Sequence, residues 1–84
     1  MPPPPTVTLY SRPGCHLCDD ARAAIERVGE RAALVLEEID ITGDDALHRS
    51  YLERIPVVEV AGEELFEFFV DEAALEARLY RLGG

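Results

Sequence analysis

Cys15 and Cys18 stand three residues apart in the stretch SRPGCHLC, residues 11–18, and they are the only cysteines among the 84 residues of the chain. That spacing suits three kinds of chemistry. It is half of a tetrahedral metal site, a place for a structural bridge, or a dithiol that trades electrons with other disulfides. A metal site within one chain needs more soft ligands than this sequence offers. There is no second pair of this kind, and the two histidines are His16, inside the motif, and His48, far away in sequence. A metal ion or iron–sulfur cluster shared between two chains stays open on this ligand count. Two inert core cysteines stay open as well.

The elements around the pair decide what the thiols can do. TVTLY, residues 6–10, is rich in β-formers, with Val7 and Leu9 on one face. SRPG then turns the chain. From about His16 to Glu30, Leu17, Ala21, Ile25 and Val28 recur at three- and four-residue steps between charged residues, the period of an amphipathic helix. Gly29 lies near its end and is placed to help stop it. Cys15 therefore falls on a strand-to-helix turn and Cys18 in the first helical turn. A three-residue step puts both thiols on one side, and the bend at Pro13-Gly14 exposes the first.

A helix N-terminus offers free N–H groups and a partial positive charge, which favour thiolate, the nucleophilic form. Arg12 and a protonated His16 push the same way, whereas Asp19 and Asp20 push against it. This geometry predicts that Cys15 attacks a disulfide in a partner and that Cys18 then resolves the mixed disulfide.

The remaining chain continues the alternation. ALVLEEIDI, residues 33–41, is the second strand, and its apolar run from Leu34 to Leu36 predicts a strand buried on both faces. TGDDALHRSYLE carries capping residues and then Ala46, Leu47, Tyr51 and Leu52, a short helix. PVVEV is the third strand and AGEE a hairpin turn at Gly62. ELFEFFV is the fourth strand, with Phe66 and Phe68 on one face and Leu65, Glu67 and Phe69 on the other. DEAALEARLYRL closes as a helix capped by Asp71, with Leu75, Leu79 and Leu82 as its apolar stripe and two glycines after it. Tyr10, Tyr51 and the phenylalanines are expected in the core, and His48 in solvent.

The order β-α-β-α-β-β-α predicts an α/β fold. A right-handed crossover makes the first two strands parallel and the tight turn makes the last two antiparallel, giving a four-stranded mixed sheet with helices on both faces. Pro56 stands directly before the third strand, which such a sheet sets beside the first. A cis proline there would face the thiols and expose the backbone of Ile55 to an incoming peptide or to glutathione.

Residues 1–5 form a proline-rich lead-in that enters neither helix nor central strand, and residues 6–84 a single domain. The net charge of −9 disfavours nucleic acid; its first reading is a charge that keeps a small domain in solution, and the same field would favour a basic partner. With no apolar run of spanning length and no leader, no membrane is involved and a cytoplasmic location is expected. There a lasting structural disulfide is the less expected use of two cysteines.

Taken in order, LYSRPGCHLCDDA, IDI, RIPVVEV-AGEELFE and DEAAL resemble the short glutaredoxin-like proteins of bacteria, over about Val7 to Leu82. The resemblance implies a minimal thioredoxin fold and a thiol–disulfide oxidoreductase, with Cys15 as attacking thiol, Cys18 as resolving thiol and Pro56 as the cis proline. It implies that Arg12 meets a glutathione carboxylate and that the Ile55 backbone pairs with glutathione's cysteine.

Two departures stand out. Glutaredoxins carry a Gly-Gly pair before the last helix, where this chain has Phe66, Phe68 and Phe69, leaving Asp71 as the one contact for the glutamyl end. The pair between the cysteines is His-Leu rather than Pro-Tyr, and His16 there is expected to stabilise the thiolate and make the couple more oxidising. The expectation is a monomer with no bound cofactor. It is recharged by glutathione or another thiol reductant and acts on a disulfide-containing protein or a small thiol compound. The competing readings are a non-catalytic binding module on the same fold and a metal or iron–sulfur carrier.

Overall fold

The computed structural model describes residues 3–83. Strand β1 (Thr6–Ser11) leads through a turn into helix α1 (His16–Gly29), and strand β2 (Val35–Asp40) follows. A single 3-10 turn at Ile41–Gly43 and helix α2 (Asp45–Tyr51) lead to the hairpin of β3 (Val57–Val60) and β4 (Glu63–Glu67), and helix α3 (Glu72–Gly83) closes the fold. The sheet order is β2-β1-β3-β4. β1 is parallel to β2 and antiparallel to β3, and β3 is antiparallel to β4.

One face of the sheet carries most of the apolar burial. Val7 and Leu9 alternate inward along β1 and meet Val58 and Val60 of β3. Helix α1 lays Ala21, Ile25 and Val28 on them, and α3 adds Leu75 and Leu79. The other face is covered at one end only, where Tyr51 of α2 stacks on Tyr10 with centroids 4.5 Å apart. A second, smaller cluster of Cys18, Ile41 and Ile55 sits at that end, with Tyr10, Cys15, Leu47 and Tyr51 packed against it.

Several expectations are corrected. β2 is an edge strand, so it is not buried on both faces: Val35 is 48% exposed, while Leu36 turns toward the core. Leu17 is 49% exposed, because the inward stripe of α1 starts at Cys18 and runs through Ala21, Ala24, Ile25 and Val28. Leu82, in the last turn of α3, is exposed. β4 breaks its alternation at a bulge. Val58 pairs with Phe66 and Glu59 with Glu64, which leaves Leu65 as the extra residue, and both Leu65 and Phe66 reach the core.

The strand ends at Glu67, so Phe68 and Phe69 lie outside it and outside the core. Helix α1 ends without a left-handed glycine. Glu30 caps it in helical geometry, with bonds from Glu30 N to the Arg27 carbonyl and from Arg31 N to the Val28 carbonyl. His48 is half-buried.

The hairpin turn is Ala61-Gly62, both with positive φ (50° and 83°), as a two-residue loop between twisted strands requires. Asp71 caps α3 through a bond from the Ala74 amide to its carboxylate, 3.1 Å. Of the lead-in, residues 1 and 2 lie outside the described residues. Pro5 is tied down, its carbonyl accepting from the Val35 amide at 2.9 Å. Of the closing glycines, Gly84 lies outside the described residues.

Candidate active site

The turn that presents the thiols is set by local chemistry. β1 stops at Ser11, and Pro13-Gly14 reverses the chain with Gly14 at φ 75°. Proline followed by a positive-φ glycine is the signature of a type II turn. Cys15 then occupies the N-cap of α1 in extended geometry, and its Sγ accepts a hydrogen bond from the Cys18 amide at 3.2 Å. Serine or aspartate usually fills that position. Here a sulfur atom takes the bond and sits where the helix presents its free N–H groups.

The two thiols differ in setting. Cys15 is half-buried and Cys18 is 0% exposed. Burial pushes the Cys18 thiol up to about 12, and its hydrogen bond with Cys15 adds to this, while the Arg12 backbone and charge oppose it. Cys18 is therefore a protonated thiol at neutral pH, held beneath Cys15. Both thiols are free.

The Ile55–Pro56 peptide bond is cis. Ile55 and Pro56 are buried, and Ile55 belongs to the cluster that holds Cys18, with Cys15 packed against it. The third strand thus reaches the thiols through the residue before the proline. His16 is exposed at the first helical position. Arg12 is exposed on the rim of an open cleft of about 330 Å³, shared with Ser11, Asp19, Arg22 and Glu38. Asp71 uses its carboxylate as the α3 cap, and no contact of the described residues ties it to the thiols. Among the described residues no group of three or more His, Cys, Asp or Glu side chains is placed to hold a metal ion.

A polar brace under the turn went unread in the sequence. Ser11 is buried and donates to Glu38 at 2.7 Å, and Glu38 accepts from Arg22 Nε at 2.7 Å. Arg22 also reaches Asp19, at 3.0 Å. Arg22 holds the Glu38 carboxyl below the usual carboxylate range, with the Ser11 bond helping and burial opposing. The brace ties the end of β1 and edge strand β2 to the first turns of α1. A sequence signal existed in the Asp19/Arg22 spacing, but the third member comes from the register that sets Ser11 beside Asp40, two residues past Glu38.

On the other side Tyr10 donates to Glu59 at 3.1 Å. Its hydroxyl is pushed up to about 12 by burial and then by the bond and charge of Glu59. Arg54 lies over the Tyr51 ring at 5.2 Å and pairs with Glu64 and Glu67.

The model of the glutaredoxin-like domain (DUF836) matches residues 6–80. The chain belongs to this glutaredoxin-like family. Solved structures agree. A protein of Nitrosomonas europaea superposes with a TM-score of 0.80 at 32% identity, covering 94% of this chain and 95% of its own. A protein of X. campestris superposes with a TM-score of 0.73 at 36% identity, covering 89% and 96%. A thioredoxin from Halobacterium salinarum shares the fold, with a TM-score of 0.68 at 20% identity over 94% of this chain and 74% of its own. This glutaredoxin-like chain is thus a thioredoxin-fold domain with a Cys15/Cys18 pair at the head of its first helix. No helix among the described residues is long and apolar enough to cross a membrane.

Proposed function

We propose that the protein is a thiol–disulfide oxidoreductase. The observation that carries this reading is the unequal pair: Cys15 reachable at the helix N-cap with a hydrogen bond to its sulfur, and Cys18 buried one helical turn below. The Cys15 thiolate attacks one sulfur of a partner disulfide. A Cys15–partner bond forms, the partner's own S–S bond breaks, and the departing sulfur leaves as a thiolate that takes up a proton. Cys18 then loses its proton and attacks Cys15 Sγ. The mixed disulfide breaks, the second partner thiol is released, and a Cys15–Cys18 bridge remains. Two electrons have passed from the dithiol to the partner.

The high resting pKa of Cys18 keeps it from competing for the first attack, and it becomes the nucleophile only once Cys15 carries a leaving group. Ile55, before the cis proline, offers its carbonyl to the partner chain, its N–H being bonded to the Tyr51 carbonyl, and Arg12 supplies positive charge at the mouth, with His16 exposed beside it. The partner is a disulfide in a protein or a small thiol compound. No bound cofactor takes part, and a monomer suffices. Glutathione or another cellular thiol returns the bridge to dithiol, which suits a reducing cytoplasm.

The test is a redox titration in glutathione buffers, with the thiols trapped and read by mass. The expected result is one reversible dithiol–disulfide couple with a midpoint of roughly −120 to −270 mV. Cys15→Ser should abolish exchange, and Cys18→Ser should stop at a mixed disulfide. Full exchange by Cys15→Ser would overturn the assignment.

A further inference from the structure

Phe68 is a bulky residue at φ 69°, in the left-handed region that such side chains rarely enter. Two bonds define it. The Phe69 amide donates to the Glu67 carbonyl at 2.8 Å, and the Phe68 amide donates to the Pro56 carbonyl at 2.8 Å. The first closes a three-residue γ-turn of the positive-φ kind, which is rare and strained. Neither ring joins a buried cluster. The turn directs both rings outward, Phe68 at 47% exposure and Phe69 at 70%. Strain of this kind concentrates where a protein meets a ligand.

The location fits, because the turn hangs on the carbonyl of the cis proline, next to Ile55, which packs in the cluster that adjoins Cys15. Leu17, between the two cysteines, is a further exposed apolar side chain at the same end.

We infer that Phe68 and Phe69 are specificity-determining residues. They receive the apolar side chains that flank the cysteine of an extended, basic protein segment, and so direct exchange toward protein disulfides rather than glutathione disulfide. The inference rests on the oxidoreductase reading and adds to it the class of substrate. Charge separates the two substrates. The chain has 17 acidic and 8 basic residues for a net charge of −9. Arg22, Arg27, Arg31, Arg54 and Arg78 are already tied to carboxylates. Glutathione disulfide is an anion and is disfavoured by this overall field, with Arg12 the exposed cation beside the thiol turn, whereas a lysine-bearing segment is drawn in. Glutathione also has no apolar side chain to place against two exposed rings.

The experiment compares exchange rates of the reduced protein with three disulfides: 2-hydroxyethyl disulfide, glutathione disulfide, and a Leu/Lys-rich peptide disulfide. The wild-type protein should prefer the peptide to glutathione disulfide by about tenfold or more at low salt, and the preference should shrink as salt rises. In the double variant Phe68→Gly, Phe69→Ala the ratio of peptide to 2-hydroxyethyl disulfide rates should fall about tenfold. Glycine suits the positive φ at position 68, so this variant keeps its fold. An unchanged ratio overturns the inference, as does equal or faster reaction with glutathione disulfide. If the wild-type protein exchanges with none of the three, the oxidoreductase reading itself fails, and this inference with it.

Discussion

The two buried clusters of this domain do different work. The larger joins β1, β3, α1 and α3 through buried aliphatic side chains, Val7, Leu9, Ile25, Val28, Val58, Val60, Leu75 and Leu79 among them, with Phe66 packed against them. Neither cysteine belongs to it, although Ala21 continues the buried stripe of α1 that starts at Cys18. The smaller has Cys18, Ile41 and Ile55 at its centre, one of them a thiol, and is walled by half-buried Tyr10, Cys15, Leu47 and Tyr51. The first supplies the burial a small domain needs to stay folded. The second lowers the polarity around one thiol while leaving the other in reach. Under the proposed function, most of the buried area lies in one cluster and the thiols in the other, so each can be perturbed separately.

The sharpest way to break that contrast is Leu9→Ala. Leu9 is fully buried in the larger cluster, and its truncation should cost about 2–5 kcal/mol, a large part of what so small a domain has. Urea denaturation measures the loss, and the fraction still folded should exchange disulfides at the wild-type rate. A slow but fully folded variant would show that the clusters are not independent.

Ile41→Val tests the other side. Ile41 is fully buried beside Cys18, so the stability loss should be about 0.5–1.5 kcal/mol. The second step of exchange should change more than the first, read as the lifetime of the mixed disulfide by quenched mass analysis.

The smallest effect belongs to Glu38→Gln, in the brace beneath the thiol turn. Arg22 lowers the Glu38 carboxyl from its ordinary value of 4.5. A depressed carboxyl contributes stability above its unfolded pKa and loses it as the pH falls through the folded one. The pair is partly exposed, so the variant should lose only about 0.5 kcal/mol at neutral pH. The gap to wild type should close in acid, as the pH falls below the ordinary carboxyl value of 4.5 and through the lowered one. A gap that widens there would contradict the assigned partner.

What could be read from the sequence was local. The Cys15–Cys18 spacing, the Pro13-Gly14 turn, the hairpin at Gly62 and the Asp71 cap each depend on a few adjacent residues, and the structure has them where short-range rules put them. The cis bond at Pro56 needed the strand order as well, since only pairing of β3 with β1 brings that proline to the thiols.

Legibility failed where position in the sheet overrides composition. Leu34 to Leu36 looks like a central strand, but β2 is an edge. Phe68 and Phe69 continue a β-pattern that the bulge at Leu65 and the γ-turn at Phe68 bring to an end. The Ser11–Glu38–Arg22 brace joins three elements whose register no single segment encodes.

One helix turn gives two chemically identical side chains opposite settings, Cys15 within reach and Cys18 buried. The most direct measurement is a time course of iodoacetamide labelling of the reduced native protein at neutral pH, with peptide mapping by mass. Cys15 is expected to be alkylated first, while Cys18, buried and with its pKa raised to about 12, stays unlabelled until the protein is unfolded. Labelling of both cysteines at similar rates, or of Cys18 first, would contradict it.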